Sequence, residues 1–149
     1  MKILAISTFL LDQACKYWVN KNISEDESRK LLTPNLNITN VKNRGMAFGT
    51  FSNKRGLLLI FSAVGLFSLW GEYKNAKDKV SKVGVSLMMG GGLSNVYDRV
   101  VKGCVTDYIY LDSKRSTPIF NLADIFVLAG CLIRIKGYLL SSSAIKKNG

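Results

Sequence analysis

An uncharged stretch of sixteen residues, GLLLIFSAVGLFSLWG, occupies positions 56–71. An α-helix needs about 20 mostly apolar residues to cross a lipid bilayer, so this stretch is close to the length of a membrane span. Three further apolar blocks occur at about residues 3–19, 83–99 and 120–138. Together the four blocks predict an all-α membrane protein with four transmembrane helices.

A second reading stays open at this point, because each block is shorter than a clean span. The same blocks would suit the buried helices of a soluble bundle. The third block favours the membrane, since its glycines at 84, 90, 91 and 92 would be costly in a soluble helix but let membrane helices approach closely. The length of 149 residues predicts one domain, residues 1–149.

The segment between the first two blocks, about residues 20–55, is long and polar. It contains LNITNV at 36–41, whose alternation of apolar and polar residues is typical of a strand. We expect a small β-rich subdomain here, lying on the extracytoplasmic surface of the membrane. At the N-terminus, residues 3–11 look like the start of a signal peptide, but Asp12 follows at once, so we expect a retained first span.

The net charge of +11 arises from 21 Lys and Arg against 10 Asp and Glu. Such an excess suits nucleic acid, an anionic membrane surface or acidic substrates. The bases lie beside the apolar blocks, with four Lys between positions 72 and 82, as in the cytoplasmic loops of membrane proteins. This placement predicts contact with membrane lipids and no nucleic-acid partner.

The chain has no His, and its three Cys, at 15, 104 and 131, show no paired spacing. Zinc sites of the usual kind and Ser-His-Asp or Cys-His mechanisms are therefore excluded in practice. We predict no metal and no cofactor. A hydrolase built from this sequence must take its acid and base from Asp, Glu or Lys.

Four spans running up and down place the chemically suggestive polar residues at one face of the membrane. Asp12 and Lys16, spaced i, i+4, can pair on one helix. The Asn43 amide could hold a substrate backbone or belong to a plain turn. The residues that meet at this face are Asp12, Gln13, Lys16, Asn43, Gly45, Asn95, Asp98, Arg99, Asp107 and Asp124.

Two of these acids are candidates for hydrolytic chemistry. Asp107 lies in VTDY at 105–108, which we expect to be a short loop, and Asp124 ends FNLAD at 120–124 at the head of the fourth block. A carboxylate in apolar surroundings must lie in protein or in a wet cavity. Asp124 alone could be an ordinary helix cap. Two Asp at one face, in a chain without His, favour an aspartyl pair.

Five motifs in order now carry a family resemblance over nearly the whole chain: DQxxK at 12–16, NxGxAF at 43–48, NxxDR at 95–99, VxDY at 105–108 and FNxAD at 120–124. The chain resembles the lipoprotein signal peptidases, the type II signal peptidases of bacteria. The resemblance implies a multi-pass peptidase of the cytoplasmic (inner) membrane, acting as a monomer near the outer face. It would cut diacylglyceryl-modified prolipoproteins just before the lipidated Cys.

By the same resemblance, Asp107 and Asp124 are the catalytic pair. The supporting positions, which hold the site or bind substrate, are Asp12, Lys16, Asn43, Gly45, Asn95, Asp98, Arg99 and Asn121. Three residues depart from the family's usual pattern and could alter substrate fit: Met46, Ser94 and Tyr108. Two other functions compete, a membrane binding protein without catalysis and a basic soluble protein that meets nucleic acid.

Overall fold

The computed structural model describes residues 1–31, 35–45, 54–111 and 118–147, with the backbone alone for 139–147. Within these ranges the chain forms four long helices and one small sheet. The elements follow one another as α1 (Lys2–Asn22), β1 (Ser28–Lys30), β2 (Leu36–Asn43), α2 (Arg55–Asn75), α3 (Lys79–Val101), β3 (Val105–Leu111) and α4 (Leu122–Lys147).

Each predicted block is a helix, and each helix is longer than its block. The polar stretch 72–82, predicted to be a loop, is mostly helical, because α2 runs to Asn75 and α3 begins at Lys79. Asp78 caps α3 by accepting a hydrogen bond of 2.7 Å from the backbone N of Ser81. The polar tail after Tyr138 continues α4 as far as Lys147.

Helix α3 lies at the centre and packs against α1, α2 and α4. Its glycines permit that approach, as predicted for block three. A Cβ on Gly91 would lie 2.4 Å from the carbonyl oxygen of Ala123, and one on Gly84 would lie 2.7 Å from that of Gly130. Real Cβ atoms do not come so close, so α3 and α4 are in backbone contact at two levels.

The prediction of a β-rich subdomain is confirmed in part, but its boundaries were wrong. The predicted strand at 36–41 is part of β2, which forms a three-stranded antiparallel sheet in the order β1-β2-β3. Strand β3 comes from the segment after α3, so residues 20–55 alone do not make the sheet. VTDY at 105–108 was predicted to be a loop; it is instead the start of β3.

The interior of the described part is unusually polar. Seven hydrophobic residues are buried beside thirteen polar or charged ones, whereas many large hydrophobic side chains are exposed. An ordinary soluble protein shows the opposite arrangement. By length and hydropathy, α2 is the one helix of the described residues that qualifies as a membrane span, and only 6% of its apolar window is buried. The four predicted spans are therefore present as helices but are not all recognisable as spans.

Candidate active site

Strand register brings Asn43 to Asp107. Val41 pairs with Asp107 and Asn43 pairs with Val105. Because side chains alternate along a strand, Asn43 and Asp107 lie diagonally on the same face of the sheet. The Asn43 Nδ2 donates to Asp107 Oδ2 at 2.8 Å, and its Oδ1 accepts from the backbone N of Gly45 at 2.9 Å. The amide is thus already bonded at both ends.

The beginning of α4 is fastened to β3 by a bridge between Ile109 and Phe120. The backbone N of Ile109 donates to the Phe120 oxygen at 2.7 Å, and the N of Phe120 donates to the Ile109 oxygen at 3.1 Å. The next residue, Asn121, therefore lies beside Asp107. Its Nδ2 donates to Asp107 Oδ1 at 2.7 Å, so both carboxylate oxygens of Asp107 accept an amide hydrogen.

Asp124 lies one turn into α4 and shares Asn121 with Asp107. The backbone N of Asn121 donates to Asp124 Oδ2 at 3.1 Å, and the backbone N of Asp124 donates to Asn121 Oδ1 at 3.0 Å. This reciprocal pair is a capping box, so the capping role considered for Asp124 is real. The capping box uses only Oδ2 of Asp124. The other oxygen, Oδ1, accepts a hydrogen bond from Asn95 Nδ2 at 2.8 Å.

The surroundings of Asp107 favour the protonated form of its carboxyl group. Burial, together with the negative charge of Asp124, raises the pKa of Asp107 to about 6 against the lowering effect of the hydrogen bonds from Asn43 and Asn121. Two carboxyl groups that repel in this way can share one proton. A pair of carboxyl groups that holds one proton can supply both an acid and a base near neutral pH.

A cluster of buried charged side chains lies close to the carboxyl groups of Asp107 and Asp124. Lys16 Nζ lies 2.6 Å from Asp12 Oδ2 and 2.8 Å from Asp98 Oδ2, and all three side chains are fully buried. The Asp12–Lys16 pairing along α1 is the one that the sequence predicted. Lys102 Nζ, 2.7 Å from Asp98 Oδ1, adds a second positive charge. Each buried charge therefore has an opposite partner, as burial requires.

The first turn of α4 is capped by other elements. Ala123 donates its backbone N–H to Asp12 Oδ1 at 3.0 Å, and Leu122 donates to the hydroxyl of Tyr108 at 3.2 Å. The Tyr108 hydroxyl in turn donates to Asp12 Oδ1 at 3.4 Å. Together with Asn121, these groups satisfy the N–H groups that a helix start leaves free. They also fix the position of Asp124 relative to α1 and β3.

Arg99 and Gly45 complete the polar end. The Arg99 Nη2 donates to the carbonyl oxygen of Gly45 at 3.2 Å. Its Nε is buried and has no hydrogen-bond partner among the described residues. Positive charge is thus available beside Asp107 and Asp124.

A cavity of about 500 Å³ opens onto this cluster between α2, α3 and α4. Asn95, Arg99 and Asp124 line one end of it. The remainder of the wall is largely apolar and includes Leu66, Leu69, Val96, Val127 and Leu128. Such a space suits an apolar chain whose polar end meets the carboxylates.

All ten predicted site residues lie at this end of the molecule, and the hydrogen bonds above connect them. Two supporting residues were not predicted as such. Ser94 is fully buried and donates to Asp12 Oδ2, and Tyr108 caps α4. Ser94 is a polar residue one helical turn before Asp98, and this spacing was the signal that could have indicated its supporting role. The motif residues Ala47 and Phe48, together with Met46, lie outside the described residues.

The model of the signal peptidase II family matches residues 4–140 of the chain. The chain belongs to the signal peptidase II family. Family membership makes it a peptidase, as the sequence predicted. Among similar proteins, the lipoprotein signal peptidase of Caldicellulosiruptor bescii is 37% identical over 131 residues, which cover 88% of this chain and 85% of that protein. The lipoprotein signal peptidase of Aeromonas hydrophila is 34% identical, over 91% of this chain and 86% of that protein.

Two solved structures are similar to this signal peptidase II family member over most of its length. A bacterial membrane enzyme determined by the in meso method superposes with a TM-score of 0.88 at 29% identity, covering 95% of this chain and 88% of that chain. A second such structure gives a TM-score of 0.84 at 29% identity, over 92% of this chain. The chain is therefore a membrane protein with the fold of these enzymes.

Proposed function

We propose that this chain is an aspartyl endopeptidase that removes the signal peptide from diacylglyceryl-modified prolipoproteins, cleaving just before the lipidated Cys. The observation that carries the proposal is the sharing of Asn121 by two carboxyl groups, Asp107 and Asp124. The names of the relatives support the substrate class. The apolar cavity beside Asp124 has the character that an acyl chain or an apolar signal segment requires.

In the proposed reaction, one carboxyl group of the pair is ionised and the other is protonated. The ionised carboxylate takes a proton from water as the water oxygen attacks the scissile carbonyl carbon. The protonated carboxyl gives its proton to the carbonyl oxygen, which forms a neutral gem-diol. When the C–N bond breaks, the carboxyl that took the proton of water gives it to the leaving nitrogen, and the other carboxylate takes a proton from a hydroxyl of the gem-diol, which restores the starting protonation of both groups.

The proposed setting is one domain, residues 1–149, that crosses the cytoplasmic membrane four times as a monomer, with the site near the outer face. The helices have 21, 21, 23 and 26 residues, or about 31 to 39 Å at 1.5 Å per residue, enough to cross the bilayer. Exposed aromatic residues lie toward both ends, with Trp18 at the site end and Trp70 at the other. The Lys-rich connection at 74–82 lies opposite the site and suits the cytoplasm.

The direct test incubates detergent-solubilised protein with a diacylglyceryl-modified precursor and measures the shortened product. Asp107→Asn and Asp124→Asn should each reduce cleavage by about 10³-fold or more, because Asn can neither accept the proton of water nor donate an acidic proton. The matched control is Asp78→Asn, at the α3 cap far from the site, where Asn is an equally good capping residue.

Full cleavage by either active-site variant would refute the aspartyl pair. If the wild-type protein binds the precursor without shortening it, the chain is a membrane binding protein instead.

A further inference from the structure

The side-chain amide of Asn95 lies between a buried ammonium and a carboxylate. Its Oδ1 accepts from Lys16 Nζ at 2.8 Å, and its Nδ2 donates to Asp124 Oδ1 at 2.8 Å. The Lys16 side chain is fully buried. Asn95 is therefore the connection between the ion cluster of Asp12, Lys16 and Asp98 and the carboxyl pair.

Lys16 leaves the amide one orientation. An ammonium is a donor only and has no acceptor; the Lys16 ammonium donates to Asn95 Oδ1 and forms ion pairs with Asp12 and Asp98. A flipped Asn95 would direct its NH₂ group at the ammonium and its oxygen at Asp124. Both contacts would be repulsive, so the NH₂ group stays on Asp124.

The two carboxyl groups consequently have unequal surroundings. Asp124 lies in the first turn of α4, where the helix dipole favours a negative charge. The charged groups that face it are Lys16 and Asp12 on α1, Arg99 on α3, and Asp107 on β3. Asp107, on a strand, has no helix dipole and accepts from two neutral amides.

We propose that Lys16 is a positioning residue, which holds the Asn95 amide so that Asp124 keeps the negative charge of the pair and Asp107 keeps the shared proton. This inference rests on the aspartyl function proposed above and adds the direction of proton transfer. Asp124 takes the proton of the attacking water, and Asp107 protonates the carbonyl oxygen.

The test follows the pH dependence of cleavage in variants that limit the unpaired charge in the cluster. Lys16→Met alone would leave buried negative charge, so it is made together with Asp98→Asn, and Asp98→Asn alone is the reference. Relative to that reference, the double variant should move the acidic limb of the kcat/KM profile to higher pH by about one unit. At pH 6 its kcat should fall about tenfold while KM stays within about twofold.

A third change separates positioning from simple charge. Asn95→Leu keeps the Lys16 ion pairs and removes the amide, so the acidic limb should move in the same direction. In an Asn95→Leu/Asp98→Asn background, adding Lys16→Met should produce less than half of the shift that it produces in the Asp98→Asn reference, because Lys16 and Asn95 act through one contact.

Fully additive shifts would show that Lys16 acts through its charge without Asn95, and an unmoved acidic limb would remove its influence altogether. Either result overturns the positioning role. Both leave the aspartyl function standing, since that function is judged by Asp107→Asn and Asp124→Asn.

Discussion

Helices α1 and α2 have the same length, 21 residues, and opposite designs. The buried residues of α1 are Thr8, Asp12, Lys16 and Val19, a stripe at helical spacing that is mostly polar. The one buried residue of α2 is Leu58, and the rest of its apolar surface points outward. Helix α1 holds the site from inside, whereas α2 forms one wall of the cavity and otherwise faces the surroundings.

This difference explains why, among the described helices, α2 alone has the hydropathy of a membrane span, although the site residues lie on or beside the other three. Charged residues interrupt the apolar sequence of α1, α3 and α4, whereas exposed large hydrophobic residues remain on all three. Inside a membrane protein, packing and hydrogen bonds hold helices together, because lipid is as apolar as any side chain. In this family member, the least hydrophobic helices are therefore the ones that make the site.

The largest expected contrast comes from one methyl group placed on α3 or on α2. Gly91→Ala should push α3 away from Ala123, beside Asp124, and reduce cleavage at least 100-fold with a clear loss of thermal stability. Gly71→Ala, on α2, adds a methyl group to open space and should leave both unchanged or slightly improved, since Ala is the better helix former. Cleavage rate and Tm in detergent measure both effects. Equal effects of the two substitutions would contradict the close packing inferred for α3 and the open surface inferred for α2.

A smaller effect is expected at the sheet. Asn43→Leu removes a hydrogen bond that lowers the pKa of Asp107, so that pKa should rise above about 6. As the proton donor, Asp107 would keep its proton to higher pH, and the alkaline limb of the kcat/KM profile should move up by about one pH unit. Asn35→Leu, at an exposed position just before β2, is the matched control and should leave the limb in place. A downward shift would contradict the assigned contact.

The outer face of α2 should tolerate shape and reject charge. Phe67 is 78% exposed, so Phe67→Leu should have little effect on yield or activity. Phe67→Lys places a charge toward lipid at a cost of about 2.5–3.5 kcal/mol and should lower the amount of membrane-integrated protein. The fraction that does integrate should cleave at the normal rate. Normal integration of the Lys variant would mean that this face does not meet lipid.

The smallest effect is expected where α2 touches α4 at the end opposite the site. Arg134 Nη2 lies 2.6 Å from Glu72 Oε2, but their side chains are 30% and 53% exposed. Such a pair contributes at most about 1 kcal/mol, so Glu72→Gln should lower the Tm by no more than about 4 °C and leave cleavage unaffected. Glu25→Gln, also exposed, is the control. A large loss of activity would make this pair a determinant of the cavity.

Contacts between residues that are close in sequence, and contacts set by the up-and-down order of the helices, were predictable. The Asp12–Lys16 pair follows from i, i+4 spacing, and the meeting of Asp98 with Asp12 follows from four helices running up and down. Strand β3 was missed because its partner, β2, lies more than sixty residues earlier and the pairing is visible only in three dimensions. For the same reason the contact of Asn43 with Asp107, and the capping role of Tyr108, had no local signature.

The caps on α4 have a consequence for the order of assembly. The first N–H groups of α4 are met by Asp12, which belongs to α1, and by Tyr108, which belongs to β3. A helix start without such partners is unstable, so this turn takes its final form only after α1 and the sheet have come together. Helix α4 also follows α1 and the three strands along the chain. The proposed carboxyl pair is therefore complete only after α1, β3 and α4 have met, so we expect forms of the chain that lack one of them to be inactive.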